Sequence, residues 1–503
     1  MTTPHPDAPG DAPSPDGSGR APRWRPEVFA PFAEGPGVVF ARTAARSPEF
    51  GRTSASGAGR VLIGSAAGDD RADVALRARG ELLERMGNVL AGRAAESAAR
   101  WVGDHDGWRR RGVPALDPAE LGDGSGGTAG RAVRQLWVPA RSALTGAELL
   151  VPAGEVFLQH RPPPGCGTTS GAGSTGLGAR PDRAAAAAHA ALELLERDLI
   201  RRSWYGPGAP PPRTVPADDL IPGPVRLLLT ALGLRATLLT LPAPAGTECV
   251  VVCVHGGAPP GSPGQSFGAR CARAGDRAGT VARAAYEALM VRWSMTSPVA
   301  LRTWEGWGGR TPPRTALEHA LWAFHGHDAL GHWTGRGRGG AGDALDGGRS
   351  DATGARPDRS GPENRTDGAT DGHGDATTPR PGRKGPATQP DGHSDATPPR
   401  PRREGPGTRP GDPVDGSGGG PVDAVRAPYG RSACDRRPAE PAEPSGGLAA
   451  LAAHTGGDVL LVDTDTPGIR AEGVHVVRVI APGARPLPAD DSRMPGALPH
   501  PFG

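Results

Sequence analysis

The 503-residue chain carries 78 Gly and 57 Pro, just over a quarter of its residues, so a large part of it cannot be regular packed structure. Its 57 basic and 54 acidic side chains leave a formal net charge of +3, too little to draw it to nucleic acid or a membrane surface. Five Cys without a paired Cys-x-x-Cys spacing argue against a disulfide framework or a zinc site, and no apolar window approaches membrane-spanning length.

In chain order, residues 1–23 form a Pro/Gly/Asp tail expected to be disordered, with neither the basic nor the apolar region of a secretory signal, so a cytoplasmic location is expected. From 24 to 334, short β-branched runs alternate with longer Ala/Leu-rich runs, an α/β pattern. Strands are expected at Arg134–Val138, Leu149–Val151, Arg235–Thr240 and Glu248–His255, the last with Cys249 and Cys253 on one buried face. Residues 335–447 are low in complexity and hold an imperfect duplication, Asp371–Pro381 returning as Asp391–Pro401. One His per copy (His373, His393) is a poor metal set, and a disordered insertion is expected. Order returns in 448–503, where Gly457–Asp463 and Val474–Ile480 read as strands that must pair with the sheet built before the insertion. Deleting 335–447 in favour of a short Gly/Ser linker is therefore expected to leave the melting temperature nearly unchanged; a large fall or insoluble expression would contradict it.

One pattern occurs three times without gaps: Asp-Arg-Ala, eight residues, then Glu. The copies run from Asp70 to Glu81, Asp182 to Glu193 and Asp276 to Glu287. Each Asp is placed to cap the helix that follows, and eleven residues bring each Glu back to nearly the same helix face. The first two copies end identically, Glu81-Leu-Leu-Glu84-Arg85 and Glu193-Leu-Leu-Glu196-Arg197, each with a Gly (Gly64, Gly176) seventeen residues before the first Glu. Taken singly, such a stretch describes a solvated helix face with an i,i+4 ion pair. Two features count against that: the helix from Ala184 to Ile200 is apolar on almost every side, and the motif recurs. Two Glu pairs brought together by pseudo-symmetric packing would offer oxygen ligands of the kind Mg²⁺ takes.

The segment Gly176–Asp198, followed by Trp204, resembles the YcaO-family stretch that runs from a Ser-Asn-Gly-Leu motif into a helix ending Glu-Leu-Ile-Glu-Arg-Asp. Trp137–Val151, Gly64–Arg85, Phe267–Arg292 and Asp458–Gly483 are similar, in order, to other parts of that family. The resemblance implies an assembly of repeated α/β sub-domains around one nucleotide site, with Mg²⁺ at Glu81, Glu84, Glu193 and Glu196, and with Glu287, Thr175 and Arg292 also facing ATP. Three departures stand out. Thr175 replaces the motif's Asn, Met290 stands where a Gln is common, and the tail Leu498-Pro-His-Pro-Phe-Gly503 ends in Gly rather than Pro. The tail, with Pro499, His500 and Pro501, is expected either to thread the site or to supply a base. The implied activity is ATP-dependent activation of backbone amides in a precursor peptide, by cyclodehydration of Cys, Ser or Thr. Thioamidation, macroamidine formation and an inert peptide-binding subunit are the alternatives. A separate leader-peptide-binding, E1-like partner is implied, and a homodimer is one admissible assembly.

Overall fold

A computed structural model describes residues 24–51, 61–121, 128–169, 171–217, 219–257, 262–335, 446–488 and 497–502. The expected N-terminal tail, Gly503 and nearly all of the expected insertion, His373 and His393 included, lie outside these residues. Among the described residues no helix is long and apolar enough to cross a membrane.

The chain opens with strands β1 (Glu27–Phe29), β2 (Val39–Arg46) and β3 (Val61–Gly68), one antiparallel sheet, followed by helix α1 (Arg71–Ala98). Next come β4 (Val102–Gly103), α2 (His105–Arg110), β5 (Gln135–Ser142), β6 (Glu148–Pro152), α3 (Ala153–Val156), β7 (Leu177–Arg180) and α4 (Arg183–Tyr205). Strands β8 (Arg213–Val215), β9 (Arg235–Leu241), β10 (Thr247–His255) and β11 (Ser266–Arg273) build a second antiparallel sheet, with α5 (Gly223–Ala231) between β8 and β9. Helices α6 (Arg277–Met295), α7 (Pro298–Trp307), α8 (Ala316–His325) and α9 (Ala329–Trp333) follow, then α10 (Gly446–Thr455), β12 (Leu460–Asp463), α11 (Pro467–Arg470) and β13 (His475–Ile480).

The two closing strands pair as expected. β12 lies between β5 and β13, and β13 pairs with β7, in the sheet order β4-β5-β12-β13-β7 with β6 also on β5. Without them β7 would lose its partner, because a lone four-residue strand leaves its backbone groups unpaired.

Each Asp of the threefold pattern is an N-cap. Asp70 accepts from the N–H groups of Ala72 and Asp73, Asp182 from Ala185 at 2.7 Å and Asp276 from Gly279 at 3.0 Å. The strand before each helix presses a glycine onto helix backbone: a Cβ on Gly64, Gly178 or Gly268 would fall 2.1, 2.3 or 2.2 Å from the carbonyl oxygens of Ala78, Ala186 and Ala284. Gly176, which the spacing paired with Gly64, has a different task. It turns the chain into β7 with φ +82°, and its close neighbour is the Val479 carbonyl.

The β8–β11 sheet is apolar on both faces. Cys249, Val251 and Cys253 pack towards α4, and Val250, Val252 and Val254 towards α5 and α6. The two thiols thus share a buried face, as the alternation requires. Burial pushes the Cys253 thiol well above its ordinary range; at Cys249 a hydrogen bond to Cys271 does so first and burial second.

Candidate functional site

The three capped helices bring their carboxylates to one region, but not in equivalent roles. Glu81 is satisfied locally: it accepts from the Ser65 N–H at 2.6 Å and pairs with Arg85 at 2.5 Å. Glu196, 2% exposed, reaches across to the next unit and accepts from the Cys271 N–H at 2.8 Å. Glu287 accepts from the Ala269 N–H at 3.2 Å on the same strand. Arg197 stands between these two, 3.4 Å from Glu196 and 3.5 Å from Glu287. The second copy of Glu-Leu-Leu-Glu-Arg therefore links two repeats, whereas the first copy makes the i,i+4 pair within one helix.

Glu84 and Glu193 face each other from α1 and α4, and among the described residues neither takes a hydrogen bond or an ion pair. Burial first, then repulsion from Glu193 and Glu81, pushes the Glu84 carboxyl up to about 8. Burial and the nearby Glu196 raise Glu193 to about 7 against the pull of Arg197. Glu287 is likewise raised to about 7, chiefly by burial and then by Glu196. Carboxyls held near neutrality by burial and by one another mark a place short of positive charge.

Several cations border this group that the sequence pattern did not single out. Arg180 at the end of β7, Arg270 on β11, and Arg77 and Arg283 on α1 and α6 lie within each other's field. Burial, then Arg270, lowers Arg180; burial, then Arg283, lowers Arg77. His189, 3.3 Å from the Arg270 guanidinium, is pushed well below its ordinary range by burial and by Arg270, Arg180 and Arg283. Asp73 already pairs with Arg77 at 2.9 Å and with the exposed Arg283 at 3.1 Å, so a further anion would chiefly relieve the crowding of Arg180 and Arg270. Arg478 of β13 is buried and lowered to about 10 by that burial, with Glu155, Glu193 and Glu84 acting the other way. The strands after the insertion thus reach the carboxylates. The signal in the sequence was slight: Arg180 and Arg270 each stand on the strand leading to a capping Asp.

Thr175 is half-buried in the turn before β7. The Arg292 guanidinium donates to the carbonyls of Gly264 and Gly256, each at 2.6 Å, and lies 5.3 Å from the Phe324 ring centroid. The end of the described tail lies beside Arg197. Phe502 packs on Phe267 and Trp333, with the Arg197 guanidinium 5.9 Å from its ring. Pro499 is half-buried and Pro501 buried.

Both ring nitrogens of His500 are engaged. Its Nε2 donates to the Pro488 carbonyl at 2.9 Å and its Nδ1 accepts from the Phe502 N–H at 3.3 Å. Its ring stacks on His319 with centroids 3.8 Å apart, and burial, then His319, keeps it well below its ordinary range. Through these contacts the His500 ring fastens the tail.

The donor set is oxygen-only and anionic, which suits a hard divalent cation, and the adjoining arginines suit phosphates. Among the described residues no three His, Cys, Asp or Glu side chains are close enough to hold an ion unaided. Mg²⁺ is commonly held by one or two carboxylates together with substrate phosphates. Glu84 and Glu193 are the pair whose charge such a cation would neutralise.

Comparison with known proteins gives a family. Residues 63–337 match the family model described as YcaO cyclodehydratase, ATP- and Mg²⁺-binding. No curated protein sequence matches the chain. Among solved structures, a heterocyclase in complex with substrate and cofactor is 13% identical with a TM-score of 0.51, covering 92% of this chain and 51% of that one. At that identity the likeness shows a shared fold, and the chain spans about half the heterocyclase's length. The YcaO of Methanopyrus kandleri bound with AMPPCP and Mg²⁺ is 21% identical (TM-score 0.38, 56% of this chain, 64% of that one). The E. coli microcin synthetase McbBCD complex is 12% identical (TM-score 0.37, 61% and 72%). The family match spans more than half of the 503 residues and takes in all three Asp-capped helices, so this chain belongs to the YcaO family, whose cofactors are ATP and Mg²⁺.

Proposed function

We propose that the chain is a cytoplasmic enzyme that uses Mg-ATP to activate backbone amides of a ribosomally made peptide, closing Cys, Ser or Thr onto the preceding carbonyl to form thiazoline or oxazoline. The observation that carries this reading is the facing pair Glu84 and Glu193, two carboxyls raised by burial with no partner among the described residues, next to crowded Arg180, Arg270 and Arg283. In this reading Glu84 and Glu193 hold the cation, the arginines hold and orient phosphates, and Arg197 fixes Glu196 and Glu287. When bound, ATP would supply a phosphoryl group to the former amide oxygen once the side chain's attack has closed the ring; loss of that oxygen as phosphate, together with the nitrogen's proton, would leave the C=N bond of the azoline. Placement and charge neutralisation dominate such a transfer. A separate protein that delivers the peptide belongs to this reading, with a homodimer as the assembly to be tested.

A second reading, an inert peptide-binding subunit, is favoured by the engagement of Glu81, Glu196 and Glu287 with Arg85, Arg197 and backbone N–H groups. Incubating the chain with Mg-ATP, a Cys/Ser/Thr-rich precursor peptide and its partner separates the two. Phosphate release in step with loss of one water mass per ring is the expected result. Peptide binding with neither phosphate release nor mass loss would establish the inert subunit instead.

A further inference from the structure

A cleft of about 420 Å³ is lined by α2, the segment 113–120 and β6, and it plays no part in the carboxylate group. Segment 113–120 is fastened along β6: the Leu116 N–H donates to the Leu150 carbonyl at 2.8 Å, and the Leu150 N–H to that of Pro114 at 2.9 Å. Val113, Pro114, Leu116 and Leu149 thereby supply an apolar wall. The deepest polar side chain on the cleft is His105, 2% exposed, whereas Val113 and Leu149 are half-buried and Pro114 is exposed.

His105 is held in place yet unsatisfied. Its ring stacks on Trp137 with centroids 6.3 Å apart, and Trp137 is itself fixed by its Nε1 donating to the Gly103 carbonyl at 2.9 Å. Among the described residues neither ring nitrogen of His105 takes a hydrogen bond. Nδ1 is buried and stands 3.5 Å from Asp106 Oδ1, a carboxylate that favours the proton on that nitrogen. Nε2 is then the acceptor left to a ligand, and a buried acceptor without a partner is costly.

The charges around the cleft call for a neutral occupant. Asp117 is compensated: its carboxylate accepts from Arg131 Nη2 at 2.5 Å, from Arg131 Nε at 2.8 Å and from the Ala119 N–H at 3.0 Å. Exposed Arg109 and Glu120 add one charge of each sign. An apolar wall ending on a deep acceptor matches an apolar body with a donor at its tip, which is the form of a phenol.

We infer that this cleft docks a tyrosine side chain of a peptide, its ring on the apolar wall and its hydroxyl donating to His105 Nε2. The inference rests on the proposal above only in taking the ligand to be a peptide. Its test uses no nucleotide: fluorescence anisotropy of three labelled peptides, alike except for Tyr, Phe or Ala at one position, against the full chain. The Tyr peptide is expected to bind roughly tenfold more tightly than the Phe peptide, and the Ala peptide most weakly. His105→Phe keeps an aromatic ring on Trp137 and should bring the Tyr peptide down to the Phe peptide's affinity. Leu149→Trp, which fills the cleft from β6, should bring both down to that of the Ala peptide.

Equal affinity of the wild type for the Tyr and Phe peptides overturns the inference, as does a Tyr preference that survives in His105→Phe. So does a chain that binds N-acetyltyrosinamide but not the Tyr peptide. Circular dichroism melts check folding; if His105→Phe does not fold, Leu149→Trp decides, and undiminished Tyr-peptide binding there overturns the inference. Mg-ATP affinity, measured in parallel, should be unchanged by His105→Phe. Its absence in wild type would refute the enzyme reading and leave the cleft result standing.

Discussion

Replacing Glu84 or Glu193 with Gln is expected to weaken Mg-ATP binding on the order of 100-fold or more, while making the nucleotide-free chain more stable at pH 8. Both effects have one cause. Each carboxyl has an ordinary value of 4.5, but the fold holds Glu84 protonated to about 8 and Glu193 to about 7, first by burial and then through neighbouring carboxylates. Between 4.5 and those values the folded chain binds more protons than the unfolded chain. Stability therefore falls as pH rises through this window, and the penalty is complete above about 8. Gln has the size of Glu without the charge, so either variant should flatten that pH dependence and gain on the order of 1 kcal/mol at pH 8. Urea unfolding at pH 5.5 and 8, with calorimetric titration of Mg-ATP, reads both. Unaltered nucleotide affinity would end the metal-site reading. Glu196→Gln should behave differently and lose stability, because Glu196 is buried and its charge compensates Arg197.

Gly64→Ala and Gly268→Ala are expected to destabilise the chain by about 3 kcal/mol or more each, enough to prevent folding. The new Cβ would lie 2.1 or 2.2 Å from a helix carbonyl oxygen and 2.5 Å from a helix N–H nitrogen. Those are backbone atoms, which no side-chain rotation can clear. Relief requires the strand to move off its helix, and that separates Glu81 from Ser65 N or Glu287 from Ala269 N. Gly80→Ala is the matched control. Gly80 lies inside α1 with nothing within 4 Å of a built Cβ, so the substitution should stabilise by about 0.5–1 kcal/mol through helix propensity. Thermal melts of the three variants decide the point: a Gly64→Ala protein as stable as wild type would show that strand and helix do not touch there.

Much of the framework was legible without coordinates. A capping Asp acts on N–H groups two or three residues ahead of it, and a strand's alternation is a property of its own backbone. Asp70, Asp182 and Asp276, the buried face of Cys249 and Cys253, and the two closing strands could therefore all be read locally. Periodicity likewise showed that Glu81, Glu193 and Glu287 share a place on three helices.

Which carboxylate does what could not be read that way. The stretches Glu81–Arg85 and Glu193–Arg197 are identical, yet Arg85 pairs within its helix while Arg197 bridges to Glu287 ninety residues on. That difference arises because α4 packs against β11, whose Cys271 N–H donates to Glu196, whereas Glu81 finds its donor, the Ser65 N–H, on its own β3. Arg180, Arg270 and Arg283 form a group only when β7, β11 and α6 meet, and a long-range field leaves no spacing in the sequence. Arg292 carries the same charge as these three, and the carbonyls of Gly256 and Gly264 claim it instead. Local propensity placed the elements and their caps; which charges face one another was decided by packing between distant segments, because burial and Coulomb interaction depend on distance in space.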